Sequence, residues 1–469
     1  MVTNTAQSAP QSLIERVMAT IAGRIAARSL VAGARLPSVR GFARSAGVSV
    51  STVVEAYNRL VAAGAIVSRP GSGFYVAPQL APMQLSAVEP RRDRAIDPLW
   101  VSRQSLEADD AVPKPGCGWL PADWMAEQSL RRALRTVSRG GIEALANYGA
   151  PLGLPPLRQL ISRRLGERGV EAAPDQIILT ESGTQAIDLI CRFLVEPGDT
   201  VLVDDPCYFN FQALLRAHRV RVVSVPYTPD GPDLTAFAAT LAAERPRLYI
   251  TNSAVHNPTG ATLSPVTAHR VLKLAEQHGL TIIEDDIFAD FEHTPAPRLA
   301  GFDGLDRVIE IGSFSKTLSA SVRCGFIAAP HGWIDGLADL RIATSFGGGR
   351  LAAEVVLTLL RDGSYRKHME ALRLERARRT VGDRLQELGI VPAIEPRAGM
   401  FLWCTLPDGR DSAELARAAL THGMVLAPGN AFSAAQTAAG FMRFNVAQME
   451  EPSFTVLGQL LASEPERWR

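Results

Sequence analysis

Between residues 176 and 316, short apolar runs alternate with stretches of helical periodicity. "QIILT" (176–180) leads into "ESGTQAIDLICRFL", and "TVLVDD" (200–205) into "PCYFNFQALLRAH". "LYIT" (248–251) precedes "NSAVHNPTGATLS" and the capped segment "SPVTAHRVLKLAEQHG". "LTIIEDD" (280–286) and "RVIEIGSFSK" (307–316) follow. Runs that stay apolar rather than alternating are strands buried on both faces. Strand and helix in alternation imply a mainly parallel sheet with helices on both sides, an α/β main domain. In such sheets the polar residues beyond the carboxyl ends of the strands line a ligand crevice. Those residues here are Ser182 to Gln185, Asp205, Asn257, Asp285, Asp286, Ser313, Ser315 and Lys316.

The first eighty residues follow another pattern. They carry eight arginines against Glu15 and Glu55, on a chain whose net charge is only +1. A local excess of six positive charges points to a polyanion, or to a solvated arginine-rich helix surface. Leu13, Val17, Ile21 and Ile25 fall at i, i+4, i+8 and i+12, one apolar face of a helix. Pro37 and Ser38 read as a helix start, with Val39, Phe42 and Ala43 as its buried face and Gly47 as its end. Ser49 opens a further helix that closes on Gly64, with Tyr57 as a core aromatic. Two such helices joined by a tight turn match a helix-turn-helix, the second being the groove reader. "AIVSRPGSGFYVA" adds two short strands, a hairpin or wing. "LPSVRGFA", "GVSVSTVVEAYNRLVAAGAI" and "RPGSGFYV" together resemble the winged helix-turn-helix of the GntR family of bacterial transcription regulators, over residues 10–78. The resemblance implies double-stranded DNA as partner, with Ser38, Arg40, Ser49, Thr52 and Arg69 on the phosphates. Relatives often carry Arg or Asn at the start of the reading helix. Val50 and Ser51 stand there instead, so bidentate guanine reading by Arg is absent from that turn.

Residues 79–110 combine scattered Pro with the charge cluster "EPRRDRAIDP" and read as a linker. The 469 residues exceed one ordinary core, and 46% hydrophobic with 21% charged residues is a globular composition. No apolar run reaches the roughly 18 residues of a membrane span, and "MVTNTAQSAPQS" has no secretory pattern. Five scattered cysteines form no C-x-x-C, which argues against a metal cluster and for a reducing cytoplasm.

Lysine is rare: it stands only at 114, 273, 316 and 367, while arginine carries the remaining positive charge. Lys316 sits in "GSFSKTL", just past a strand. A lysine there can form a Schiff base with an aldehyde, a task arginine cannot perform. A Ser-Gly-Thr turn at a helix start offers amides and a positive dipole end to a phosphate, and Arg323 offers a fixed charge. A strand-end carboxylate can pair a protonated ring nitrogen, and Tyr208 can stack on a flat ring. Pyridoxal 5′-phosphate needs all of these at once.

"NYGAPLGLPPLR", "SGTQAIDL", "DPCYFNF", "HNPTG", "IIEDDIFADF", "SFSKTLSASVRCGF" and "FMRFNVAQ" make the stretch 145–450 resemble the fold-type-I aminotransferases. With the winged helix, the whole resembles the MocR subfamily of GntR regulators. The main domain (111–469) is then a fold-type-I sheet with a small C-terminal α+β part. The resemblance implies an aldimine at Lys316, Asp285 on the pyridine nitrogen, Asn257 on the ring hydroxyl and Tyr208 on the ring face. It puts Gly183, Thr184, Gln185, Ser313, Ser315 and Arg323 on the phosphate, Arg443 on an amino-acid carboxylate, and Tyr148 at the site of the other subunit in a homodimer. Asp286 is the alternative ring partner or a helix cap, and Ser313 and Ser315 are equally turn residues. His256 reads as structural. Relatives often place a tyrosine two or three residues after the ring-binding Asp; Ile287 and Phe288 stand there. One lost charge-assisted bond is worth about 1.5–3 kcal/mol, so cofactor binding with slow transamination is expected. Two functions remain: a regulator sensing an amine or amino acid at Lys316, or a working aminotransferase with an appended DNA-binding domain.

Overall fold

A computed structural model describes residues 12–26, 29–30, 33–77 and 98–463. The chain divides into two compact units, 1–91 and 92–469.

The first unit holds α1 (Leu13–Ala26), α2 (Val39–Ala46), α3 (Val50–Ala62), β1 (Ile66–Arg69) and β2 (Gly73–Val76). Ser38 caps α2 by accepting from the Gly41 amide, and Ser49 caps α3 by accepting from Thr52. Gly47 ends α2 in the left-handed conformation at φ 62, which a side chain would strain. β1 and β2 pair antiparallel, Ile66 opposite Val76, as the expected wing. Val17, Ile21, Phe42, Val53, Ala56, Tyr57, Leu60 and Ile66 form the core. Tyr57 is fully buried and its hydroxyl donates to Pro37 O at 3.0 Å. Leu13, at one end of the expected apolar face of α1, is exposed.

The second unit opens with α4 (Pro98–Glu107). This helix lies inside the span 79–110 read as a linker, whose residues 79–97 fall outside the described ones. Trp100 and Val101 are buried in the core beside Phe209 and Phe401, so residues 98–107 belong to the second unit.

Its main sheet contains β3 (Ile177–Thr180), β4 (Thr200–Asp205), β5 (Arg221–Thr228), β6 (Gly231–Pro232), β7 (Leu248–Thr251), β8 (Thr281–Asp285), β9 (Val308–Ser313) and β10 (Gly325–Ala328). The strand order is β3-β10-β9-β8-β7-β4-β5-β6. From β9 across to β5 the pairs are parallel; β10 runs antiparallel to both neighbours, and β6 is antiparallel to β5. The residues of β3, β4, β7, β8, β9 and β10 are almost all buried on both faces because helices cover each side, which explains the unbroken apolar runs, whereas β5, towards the edge, is largely half-exposed. A smaller antiparallel sheet, β11 (Val391–Pro392), β12 (Phe401–Thr405), β13 (Ala427–Pro428) and β14 (Phe441–Asn445), is ordered β11-β12-β14-β13. It is the expected C-terminal α+β part. No described helix is long and apolar enough to cross a membrane.

Candidate functional site

Parallel strands end on one edge of the sheet, and β10 starts there because it runs the other way. That edge collects Ser182, two residues past β3, then Tyr208 and Asn257 beyond β4 and β7, the last residue of β8 (Asp285), Ser315 and Lys316 beyond β9, and Arg323, two residues ahead of β10. Lys316 is half-buried and makes no hydrogen bond or ion pair among the described residues. Burial, then the neighbouring charge of Arg443, pushes its amine down to about 8. A Cβ added to Gly118 would lie 3.6 Å from Lys316 Nζ and 3.9 Å from Arg443 Nη2. The two cations therefore face one gap that a glycine leaves open.

Helix Gly183–Leu194 points its N-terminus at the same edge. Ser182 caps it by accepting from the Gln185 amide, which leaves the first-turn amides of Gly183 and Thr184 without intrahelical acceptors. Gly183 is buried, and a Cβ there would meet Ile287 at 3.3 Å. The Gln185 side chain accepts from the Glu181 amide, so it stiffens the turn from within. Thr184 Oγ1 is 3.4 Å from Asn210 Nδ2. Ser313 Oγ contacts Ser315 Oγ at 3.1 Å, and Arg323 Nη1 reaches Ser315 Oγ at 3.5 Å. Two hydroxyls, one guanidinium and a helix N-terminus thus converge, the composition of an anion cradle.

Asp285 and Asp286 separate cleanly. Asp286 pairs with Arg298, Nε to Oδ2 at 3.2 Å and Nη2 to Oδ1 at 3.2 Å. Arg298 also pairs with Glu292. Asp285 has no such cation among the described residues; its Oδ1 accepts from the Ile287 amide at 3.3 Å, and burial pushes it up to about 7. Beneath lies Glu284, also raised to about 7 by burial, which accepts from the Leu299 and Ala300 amides at 2.8 Å each. Its cross-strand neighbour Glu310 has no hydrogen-bond partner for either oxygen, and burial raises it well above the usual range.

Arg443, on β14, is fully buried. It donates to Asn257 Oδ1 at 2.9 Å and to Gly116 O at 2.8 Å, while its Nε has no partner. Phe401 and Phe432 lie 4.1 and 4.7 Å from its guanidinium carbon. Burial lowers it to about 10. Because Asn257 Oδ1 accepts from Arg443, its amide nitrogen stays free to donate. Tyr208 is half-buried between these groups, its hydroxyl pushed up to about 12 by burial. Neither Ile287 nor Phe288 can donate a bond: both are buried, and Phe288 packs edge-on against Phe401. Tyr148 stands at the margin, lining a cavity with Arg323. It is 75% exposed, its ring 4.7 Å from that of Phe346. His256 is buried flat against Tyr227 at 3.7 Å and bonds Thr259 Oγ1 at 2.8 Å, as its structural reading requires.

In the first unit the hydroxyls of Ser38, Ser49 and Thr52 are engaged in the caps of α2 and α3. Arg40 and Arg69 are exposed; Arg69 lies 4.6 Å over the Tyr75 ring.

Residues 122–458 match the family model for aminotransferase class I and II, and residues 13–76 that for bacterial regulatory proteins of the gntR family. The HTH-type transcriptional regulator YdcR of Escherichia coli K12 is 32% identical over 446 residues, 92% of this chain and 94% of YdcR. This chain is a MocR-type regulator of the GntR family. Another HTH-type regulator, NorG of Staphylococcus aureus USA300, is 27% identical over 72% of this MocR-type chain and 78% of its own. Two aminotransferase structures share the fold of the regulator's second unit. A Pyrococcus horikoshii kynurenine aminotransferase has a TM-score of 0.71 at 24% identity, over 79% of this chain and 95% of that one. LysN, an α-aminoadipate aminotransferase of Thermus thermophilus, has 0.70 at 25%, over 77% and 94%.

The aminotransferase class I and II fold is one whose members use pyridoxal phosphate. The regulator's residues fit that cofactor: an unpartnered lysine, a buried carboxylate without a cation, an anion cradle, and a glycine where a side chain would fill the gap. Sequence reasoning missed Gly118 and the aromatic wall of Arg443. "PGCGW" held the first in plain view, but nothing beside it marks its second glycine as a wall of the site. The wall comes from Phe209, Phe401 and Phe432, too far apart in sequence to be grouped.

A depressed lysine has a defined pH consequence. Below about 8 the neutral, reactive fraction of Lys316 grows tenfold per pH unit, and above it the growth stops. Capture of pyridoxal phosphate by the apo-regulator, followed by stopped-flow absorbance, is therefore expected to accelerate up to about pH 8 and then level off. Continued acceleration towards the ordinary lysine value, about 10.4, would show an unperturbed amine.

Proposed function

We propose that this chain is a pyridoxal-phosphate-dependent DNA-binding regulator that senses an amine or amino acid at Lys316. One observation carries it. Lys316 Nζ has no partner among the described residues and shares an open gap with Arg443, in a chain that also bears a GntR domain. When bound, the cofactor supplies an aldehyde that a primary amine can join and an electron-poor ring.

The chain's own residues divide the remaining work. Lys316 would hold the cofactor through its primary amine, and an amine ligand would compete for that attachment. Asp285, kept free of any guanidinium because Arg298 takes Asp286, would serve the ring nitrogen. Asn257, turned by Arg443, would donate to the ring hydroxyl, and Tyr208 would cover the ring. The Gly183 and Thr184 amides, with Ser313, Ser315 and Arg323, would take the phosphate, and Gln185 fixes their turn. Tyr148 is exposed and serves the site of a second copy in a homodimer. Arg443 takes a ligand carboxylate as a bidentate partner. Ser38, Arg40, Ser49, Thr52 and Arg69 position the first unit on DNA phosphates.

The alternative is a working aminotransferase, supported by the completeness of the Lys316, Asp285, Asn257 and Arg443 set. Ile287 and Phe288 stand against it, because neither supplies the missing donor. A mobility shift with bound DNA, repeated with pyridoxal phosphate and a panel of amines, separates the two. Regulation predicts a shift that an amine alters and keto-acid formation limited to a slow single turnover. Steady keto-acid production with DNA binding indifferent to every amine would favour the enzyme.

A further inference from the structure

On α3 the side packed into the domain is Val53, Ala56, Tyr57 and Leu60. Its solvent side begins with two valines one turn apart: Val50 is 48% exposed and Val54 41%. Neighbouring polar groups are occupied within the helix. Ser51 Oγ contacts Ser49 Oγ at 2.8 Å, and Glu55 pairs with Arg59 at 2.8 Å. Two exposed β-branched side chains add nothing to the core of this small unit. They sit on the first two turns of the second helix of a helix-turn-helix, the part that meets base edges.

The surroundings are cationic. Arg40, Arg44 and Arg69 are exposed and form no ion pair among the described residues, and residues 1–80 carry eight arginines against two glutamates. That charge suits a polyanion and disfavours a second copy of the same surface. Valine cannot donate or accept a hydrogen bond. The one apolar group that bases present in the major groove is the thymine C5-methyl. We propose that Val50 and Val54 read thymine methyl groups, so that sequence choice by this helix rests on apolar contact rather than on guanine recognition by arginine. The proposal rests on the DNA-binding role of the first unit. Four residues of helix rise about 6 Å, so the two valines reach different base pairs.

The test uses the full-length chain. Selection from random duplex DNA gives a preferred sequence, and each thymine in it is then replaced singly by uracil, which lacks only the methyl. Wild type is expected to lose about fourfold in affinity at each contacted thymine, the equivalent of one buried CH₂. The exposed double variant Val50→Ser, Val54→Ser is expected to bind thymine and uracil duplexes equally. Wild type indifferent to every uracil replacement would overturn the proposal while leaving DNA binding intact. A chain that selects no sequence would overturn the DNA-binding role and the proposal with it. A double variant that dissociates into monomers and keeps its methyl sensitivity would assign the face to contact between copies and overturn the proposal.

Discussion

Replacing Lys316 by alanine is expected to abolish retention of pyridoxal phosphate while leaving the fold unharmed. Among the described residues the amine makes no hydrogen bond or ion pair, and burial, with Arg443 nearby, works against its charge. Removing it therefore takes away no stabilising partner, and Tm should hold or rise slightly. The cofactor would lose its one covalent tether and keep only the cradle and ring contacts. Loss of about 3 kcal/mol or more corresponds to over a hundredfold in affinity. Desalting followed by absorbance measures this directly, and wild-type retention by the variant would contradict it. Lys316→Arg is the informative companion. It keeps the charge beside Arg443 but cannot form the link, so it should fail as completely.

The second large effect is on stability. Arg298 is buried and serves both Asp286 and Glu292. Arg298→Met fills much of the volume but strands two buried carboxylates, which costs about 3–5 kcal/mol for a broken buried pair. The sign with pH follows from Glu292, which burial already holds above the usual glutamate range even with its arginine present. Without the arginine it holds its proton more firmly when folded than when unfolded. That stabilises the variant at low pH, and the benefit is lost as pH rises. The deficit against wild type should therefore be smaller near pH 5 than near pH 8 in urea denaturation. Adding Asp286→Asn to the variant should recover part of the loss by removing one stranded charge. A variant equal to wild type at both pH values would show that the ion cluster does not hold the end of β8.

Most of the site was legible in the sequence because parallel sheets put chemistry where apolar runs stop. Asp285 and Lys316 could be found by counting past "TIIE" and "RVIEIGSFS", and each is without a salt-bridge partner among the described residues. What the sequence concealed depends on contacts between distant segments. The role of Asp286 became plain only once Arg298, twelve residues on, was seen to claim it. The helix 98–107 was hidden because proline and a charge cluster dominate its approach, while its two buried apolar residues, Trp100 and Val101, are adjacent and the buried position one turn on is the polar Ser105. Glu310 carried a usable mark: a lone acid inside the apolar run "VIEI". Its pairing opposite Glu284 depends on strand register, which apolar runs without alternation specify poorly. In the first unit, caps and glycines announced α2 and α3 almost residue by residue, because each cap is a local contact.

The central claim joins the two units: Lys316 must matter to DNA. Ligand exchange can alter DNA binding only if the ligand favours one arrangement of the protein over another. Genome-wide DNA capture with wild type and Lys316→Ala, each with and without pyridoxal phosphate, tests this. The expected result is an occupancy pattern that changes with the cofactor in wild type and stays constant in the variant. Identical patterns for both proteins under both conditions would contradict it.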